Sequence, residues 1–244
     1  MDTPTGPQTA RIVLVPGFWL GAWAWDEVAR LLQEQGHQVT ALTLPGLEPD
    51  HPSPADVSLE DHVTAIEQAL VGDGPVVLVA HSGAALPATA AIDRNVDRVA
   101  RTVWVDTAPV VDGAAMDSSL EGDELTLEAQ WEDEFQQGSM RDLTDAQLEE
   151  FRRRAVPQPA GTVRDVVRLT DERRLDVPGT IVCTAFPAAD YLAYAKQGVP
   201  FLAGLLEHRA LTLTDLPTGH WPMWSKPAEL AAIIGDVATS AVAR

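Results

Sequence analysis

From residue 11 onward the chain alternates short, continuous apolar runs with longer stretches whose apolar positions recur at helical spacing. Residues 11–18, RIVLVPGF, are apolar and β-branched and close on Pro-Gly, the profile of a strand buried on both faces. Residues 23–36 follow with Trp25, Val28, Leu31 and Leu32 on one helical face and Gly36 as a stop. Residues 37–46, 75–82 and 101–109 repeat the strand profile, and 179–186 and 210–217 add two more. Helices are expected from Ser58 to about Val71, with Asp61 completing a capping box, over 83–93, near 190–206, and from Pro227 to the end. Strands that are apolar throughout and alternate with helices predict an α/β fold: a mostly parallel sheet of six strands, covered on both faces.

Residues 112–172 break the alternation. They hold no strand-like run, are acidic and helical in pattern, and carry a capping box at Thr144–Gln147 and a basic cluster at Arg152–Arg154. The expected organisation is a core of 11–111 and 173–244, a helical cap or lid of 112–172, and a flexible tail of 1–10. An insertion here leaves the sheet at the carboxyl ends of its strands, where ligands bind in such folds.

Net charge narrows the partners. With 36 acidic against 17 basic side chains the chain carries −19, which repels phosphate backbones and anionic lipid, so neither nucleic acid nor a membrane surface is an expected partner. Cys183 is the only cysteine and allows no intrachain disulfide. The first ten residues lack the basic start and apolar run of a signal peptide, and no stretch approaches the roughly 18 apolar residues of a membrane span. The expectation is a cytoplasmic protein acting on a small molecule. No feature specifies an oligomeric state.

The chemistry concentrates at Ala80-His81-Ser82-Gly83-Ala84, where a buried strand runs directly into an Ala-rich helix. A serine in so tight a turn is presented on strained backbone, and its neighbours must be small; Ala80 and Ala84 satisfy this. Ser82 as a mere helix cap is the competing explanation. A serine hydroxyl needs a base within hydrogen-bond reach. Of the histidines, His37, His51 and His62 have ready structural explanations, and His81 points away from its neighbour Ser82. His220 instead follows the last strand on the Gly-containing loop LPTGHWPMW, at the edge where the Ser82 strand also ends. Two carboxylates could orient it: Asp106, ending the apolar strand VWVDTAP, and Asp190, which also reads as a helix N-cap. The Gly83 and Phe18 N–H groups are candidate oxyanion donors. Phe18, Trp19 and Trp221 could wall a substrate pocket; Trp23 and Trp25 read as packing. Scattered histidines and one cysteine offer no metal-ligand spacing, and the PGFWLG loop lacks the glycine pattern of a nucleotide site, so no cofactor is expected.

Residues 11–240 resemble the α/β-hydrolase superfamily, and are most similar to small bacterial hydrolases and to the plant methylesterase and hydroxynitrile lyase group. The opening LVPGFWLGAWAWDEVARLLQEQGHQVTALTLPG carries much of the likeness. The resemblance implies the α/β-hydrolase fold, oxyanion donors at Phe18 and Gly83, and a triad in the order Ser, Asp, His. Two positions depart from it. Pro16 stands where the family usually has His, and Pro187 stands where the family commonly places its acid, past Val177-Pro178. The second departure points to Asp106, an alternative acid position used by some members. The implied activity is hydrolysis of an ester, thioester or lactone through an acyl-enzyme on Ser82. A cofactor-free lyase using the same triad, or a non-catalytic ligand receptor on the same scaffold, are the alternatives.

Overall fold

The apolar runs pair side by side into one sheet. The computed structural model describes residues 9–49 and 54–242; most of the expected tail at 1–10 and the loop at His51 lie outside the described residues. In chain order come β1 (Arg11–Val15), β2 (Gln38–Ala41), β3 (Val76–His81) and β4 (Val99–Val105). Two very short strands follow, β5 (Glu124–Leu125) and β6 (Gln158–Pro159), and then β7 (Gly179–Cys183) and β8 (Leu211–Asp215). Six of these form the main sheet in the order β2-β1-β3-β4-β7-β8, and every pairing in it is parallel.

Alternate residues of each strand point to opposite faces, and the register keeps the two sets apart. Val13 and Val15 of β1 share one face with Leu78 and Ala80 of β3, Trp104 of β4 and Ile181 of β7. α2 (Leu59–Leu70), α3 (Ala85–Arg94), α7 (Ala188–Lys196) and α8 (Ala203–Glu207) cover that face, through side chains such as Ile66, Ala88, Tyr191 and Leu205. Ile12, Leu14, Val77, Val79, Val103, Val105 and Val182 form the other face. It packs against α1 (Asp26–Glu34) and α10 (Pro227–Val242) through Val28, Leu32, Leu230 and Ile234. Burying each such side chain stabilises by about 1.5–3 kcal/mol, so the inner strands β1, β3, β4 and β7 are largely apolar, while the edge strands β2 and β8 stay partly exposed.

Residues 112–172 hold α4 (Leu127–Gln136), α5 (Asp145–Arg154) and α6 (Ala160–Arg164). The expected capping boxes at Ser58–Asp61 and Thr144–Gln147 both form. Three expectations need correction. The insertion was expected to lack strands, yet β5 and β6 pair antiparallel, a pairing too short to leave a periodic signal. The helix expected near 190–206 is broken between α7 and α8, because Gly198 takes φ +84° and Pro200 starts a separate turn. Asp190 lies within the first turn of α7, and the N-cap position belongs to Pro187. Between β8 and α10 sits the single turn α9 (Pro222–Ser225). No helix among the described residues is long and apolar enough to cross a membrane.

One buried charge ties the insertion's end to α3. Asp93 accepts from the Thr170 and Asp171 N–H groups at 3.0 and 2.9 Å and pairs with Arg174 at 3.4 Å, with 3% and 9% of the two side chains exposed. Asp93→Ala strands the Arg174 charge and two amide donors, and is expected to destabilise by about 3–5 kcal/mol. Glu27→Ala, which removes a solvent-exposed partner of Arg30, should leave a urea unfolding curve nearly unmoved. Chemical denaturation of the two variants beside the parent checks the contrast.

Candidate active site

Because the sheet is parallel, β1, β3, β4, β7 and β8 all finish at one edge, and the turns after them gather there. β3 is buried along its whole length and delivers Ser82 onto a backbone with φ +52°, a left-handed conformation rarely taken by a residue with a side chain. The chain then turns straight into α3 through 82–84. Close packing explains the small residues around it. A Cβ on Gly17, in the turn after β1, would lie 2.8 Å from both the Ser82 Cβ and the His81 Nδ1. A Cβ on Gly83 would lie 2.4 Å from the Phe18 ring.

The turn after β1 is thus pressed against the serine. Among the described residues the Phe18 N–H has no protein acceptor, whereas the Trp19 N–H is taken by Gln158 Oε1 at 3.3 Å.

Ser82, His220 and Asp106 come together. His220 Nε2 lies 2.7 Å from the Ser82 Oγ, and its Nδ1–H donates to Asp106 Oδ2 at 2.5 Å. Asp106 sits at φ +49° just beyond β4, turned out of the strand direction. Its Oδ1 accepts from the Thr184 and Ala185 N–H groups, at 3.2 and 3.1 Å, and from the Tyr191 hydroxyl. Those donors leave Oδ2 to His220. Asp190 makes none of these contacts and stays on α7.

Burial by itself would push the Asp106 carboxyl up. The hydrogen bond and charge of His220, followed by the Tyr191 hydroxyl and the Ala185 N–H, outweigh it and hold the group well below the usual carboxylate range. Burial opposes charging His220, but the hydrogen bond and charge of Asp106, with a smaller contribution from Glu134, leave its pKa above the ordinary imidazole value. His81 is pushed down to about 3, by burial first and then by His220, and is neutral at physiological pH. Its Nε2–H therefore donates to the His220 carbonyl at 2.8 Å, while its ring lies 4.7 Å from that of His220. Sequence reasoning left His81 without a role; no local signal marks it, because its partner is 139 residues away.

The aromatic expectations divide. Phe18 borders a small cavity beside Ser82, together with Leu44, Leu47, Pro87 and Gly83, and with polar atoms from His62, Gln158 and Thr162. Trp19 and Trp221, expected as pocket walls, are 5% and 1% exposed and pack in the core around Phe151 instead. The insertion supplies that ring, so the sequence near the serine could not reveal their burial. Trp25 is core as expected, while Trp23 is partly exposed and stacks on Trp224. Among the described residues no group of three His, Cys, Asp or Glu side chains is disposed to hold a metal ion.

Comparison with known proteins bears on the family and the fold. A model of the alpha/beta hydrolase family matches residues 12–233. Methylesterase 8 of Arabidopsis thaliana is 38% identical over 99 residues, which are 39% of this chain and 36% of that protein. An (S)-hydroxynitrile lyase of Manihot esculenta is 34% identical over 101 residues, 39% of each chain. In these matches the chain spans well under half the length of the curated relatives. Among solved structures a pyrethroid hydrolase superposes with a TM-score of 0.71 at 17% identity, over 97% of this chain and 100% of that one; the likeness at that identity is one of fold.

The close approach of the turn after β1 to the serine has a measurable consequence. Gly17→Ala inserts a methyl group where backbone and side chain already touch, and is expected to destabilise by about 1–3 kcal/mol in urea unfolding. An unchanged midpoint would mean that the turn is less tightly seated than described.

Proposed function

The chain belongs to the alpha/beta hydrolase family, and we propose that it is a serine esterase whose nucleophile is Ser82, whose general base is His220 and whose orienting acid is Asp106. The observation that carries this reading is the unbroken relay from Asp106 through His220 to a positive-φ serine, at 2.5 and 2.7 Å. His220 takes the Ser82 proton as Oγ attacks the ester carbonyl. The Phe18 and Gly83 N–H groups receive the oxyanion, each such donor supplying roughly 3–4 kcal/mol in comparable sites. His220 then protonates the leaving alcohol, and in the second half activates water to release the acid from Ser82. Asp106 keeps the imidazole with its proton on Nδ1 and stabilises the imidazolium formed at each step.

Esters, thioesters and lactones are all open to this acyl-enzyme chemistry. Residues 112–172 act as a cap over this edge, and the acidic surface disfavours nucleic acid and anionic lipid as partners. A cofactor-free lyase would use the same three side chains, and the likeness to a hydroxynitrile lyase keeps that reading in view.

A fluorophosphonate probe is expected to label the parent once, on Ser82, and to leave Ser82→Ala and His220→Ala unlabelled when read by intact mass and peptide mapping. Absence of an adduct on folded parent protein would sink the covalent mechanism and favour a receptor role. The pH dependence follows from the raised pKa of His220. The base is active when neutral, so kcat/KM for p-nitrophenyl acetate is expected to climb with pH through a midpoint above about 6.5. Asp106→Asn should lower kcat by about 10³–10⁴-fold and move that midpoint downward.

A further inference from the structure

The insertion reaches the relay from behind, at the turn between α4 and α5. The Arg141 guanidinium donates from Nη2 to the Thr184 carbonyl at 2.8 Å, to the Ala185 carbonyl at 3.2 Å and to the Thr218 carbonyl. Thr184 and Ala185 are the residues whose N–H groups hold Asp106, so one pair of residues faces the acid with its donors and Arg141 with its acceptors. Thr218 lies on the loop that carries His220, and two more contacts bind that loop to the same turn. The His220 N–H donates to the Ser139 carbonyl at 2.6 Å, and the Thr218 hydroxyl donates to Asp142 Oδ2 at 3.1 Å. Gly219 makes this approach possible: a Cβ there would lie 2.4 Å from both the Ser139 and the Arg141 carbonyl oxygens.

We propose that Arg141 is a positioning residue, which clasps the loop under Asp106 to the loop bearing His220 and so sets the geometry of the relay from within the insertion. The proposal rests on the esterase reading of Ser82, His220 and Asp106. Without the clasp, the two loops are joined at the site by the His220–Asp106 contact itself and by the Leu216 and Thr218 N–H bonds to Cys183 and Thr184. A guanidinium suits the task because it holds its N–H donors in a rigid planar fork, the two Nη2 hydrogens being shared among the three carbonyls. It follows that the 139–142 turn stays in place during turnover: moving it away withdraws the backbone partner of His220.

The test compares the full-length parent with Arg141→Met, Arg141→Lys and Gly219→Ala, by the rate constant of Ser82 labelling with fluorophosphonate and by kcat, KM and the pH midpoint for p-nitrophenyl acetate. Misplacing catalytic groups by about 1 Å lowers rates by about 10²-fold. Arg141→Met and Gly219→Ala are expected to slow labelling and kcat by about 10–100-fold, with KM little changed. The groups facing His220 are Asp106, Ser82, His81 and Glu134, and loosening the Asp106 contact shifts the pH midpoint down. Arg141→Lys, which keeps a donor, should recover part of the rate. A purely structural role would lower the fraction of protein that labels while leaving its rate constant and pH midpoint at parental values, and that result overturns the proposal. Should Arg141→Met fail to fold, Arg141→Lys and Gly219→Ala decide by the same readouts. Parent protein that never labels would instead sink the esterase reading.

Discussion

Parallel pairing of the six strands is the constraint on which the site depends. In a parallel sheet every strand runs the same way, so each strand's carboxyl end opens onto the same edge. The registers Val15 with Ala80, His81 with Val105, Val105 with Val182, and Cys183 with Asp215 bring five strand ends into one row. The turns beyond them carry Phe18, Ser82, Asp106, Thr184 and His220. These residues are distant in the chain and adjacent in space because the lateral hydrogen bonds leave the strand ends no other arrangement. Covering both faces of the sheet with helices supplies the burial that holds the pairing.

Bringing those turns together creates an electrostatic problem, since Asp106 and His220 lie where water is scarce. Three donors on one carboxylate oxygen and His220 on the other compensate Asp106, and its negative charge raises the affinity of His220 for a proton. A second histidine beside the first would oppose that charge if it were protonated. His81 avoids the conflict by being buried and neutral, and turns its N–H to the His220 backbone. The same dense packing places φ > 0 at Ser82 and Asp106, two residues whose conformations the surrounding turns impose.

The insertion is more closely joined to this edge than a simple cover would be. Phe151 of α5 is fully buried and packs against Trp19, Trp221 and Trp224, linking the insertion to the turn after β1 and to the segment after His220. The turn at 139–142 adds polar contacts to both loops that flank Asp106. Leu127, Met140 and Phe151 of the insertion belong to the same core as α1 and α10, while Val167 and Leu169 join the core on the opposite face of the sheet.

The order of the six main strands, the coverage of both faces and the tight turn at Ser82 were legible along the chain. They depend on local properties: β-branched runs, helical spacing, capping residues and small side chains flanking one serine. The break between α7 and α8 was also local, written in Gly198 and Pro200, but a continuous apolar spacing concealed it. Which carboxylate faces His220 was not legible from the residues, since Asp106 and Asp190 both follow strands; the departure of Pro187 from the family pattern pointed to Asp106, and the fold brings that residue to His220. The burial of Trp19 and Trp221, the position of His81 and the grip of Arg141 on two loops were likewise closed to sequence reasoning. Each depends on a partner far along the chain, and only the packing of the insertion against the strand ends decides which side chains meet.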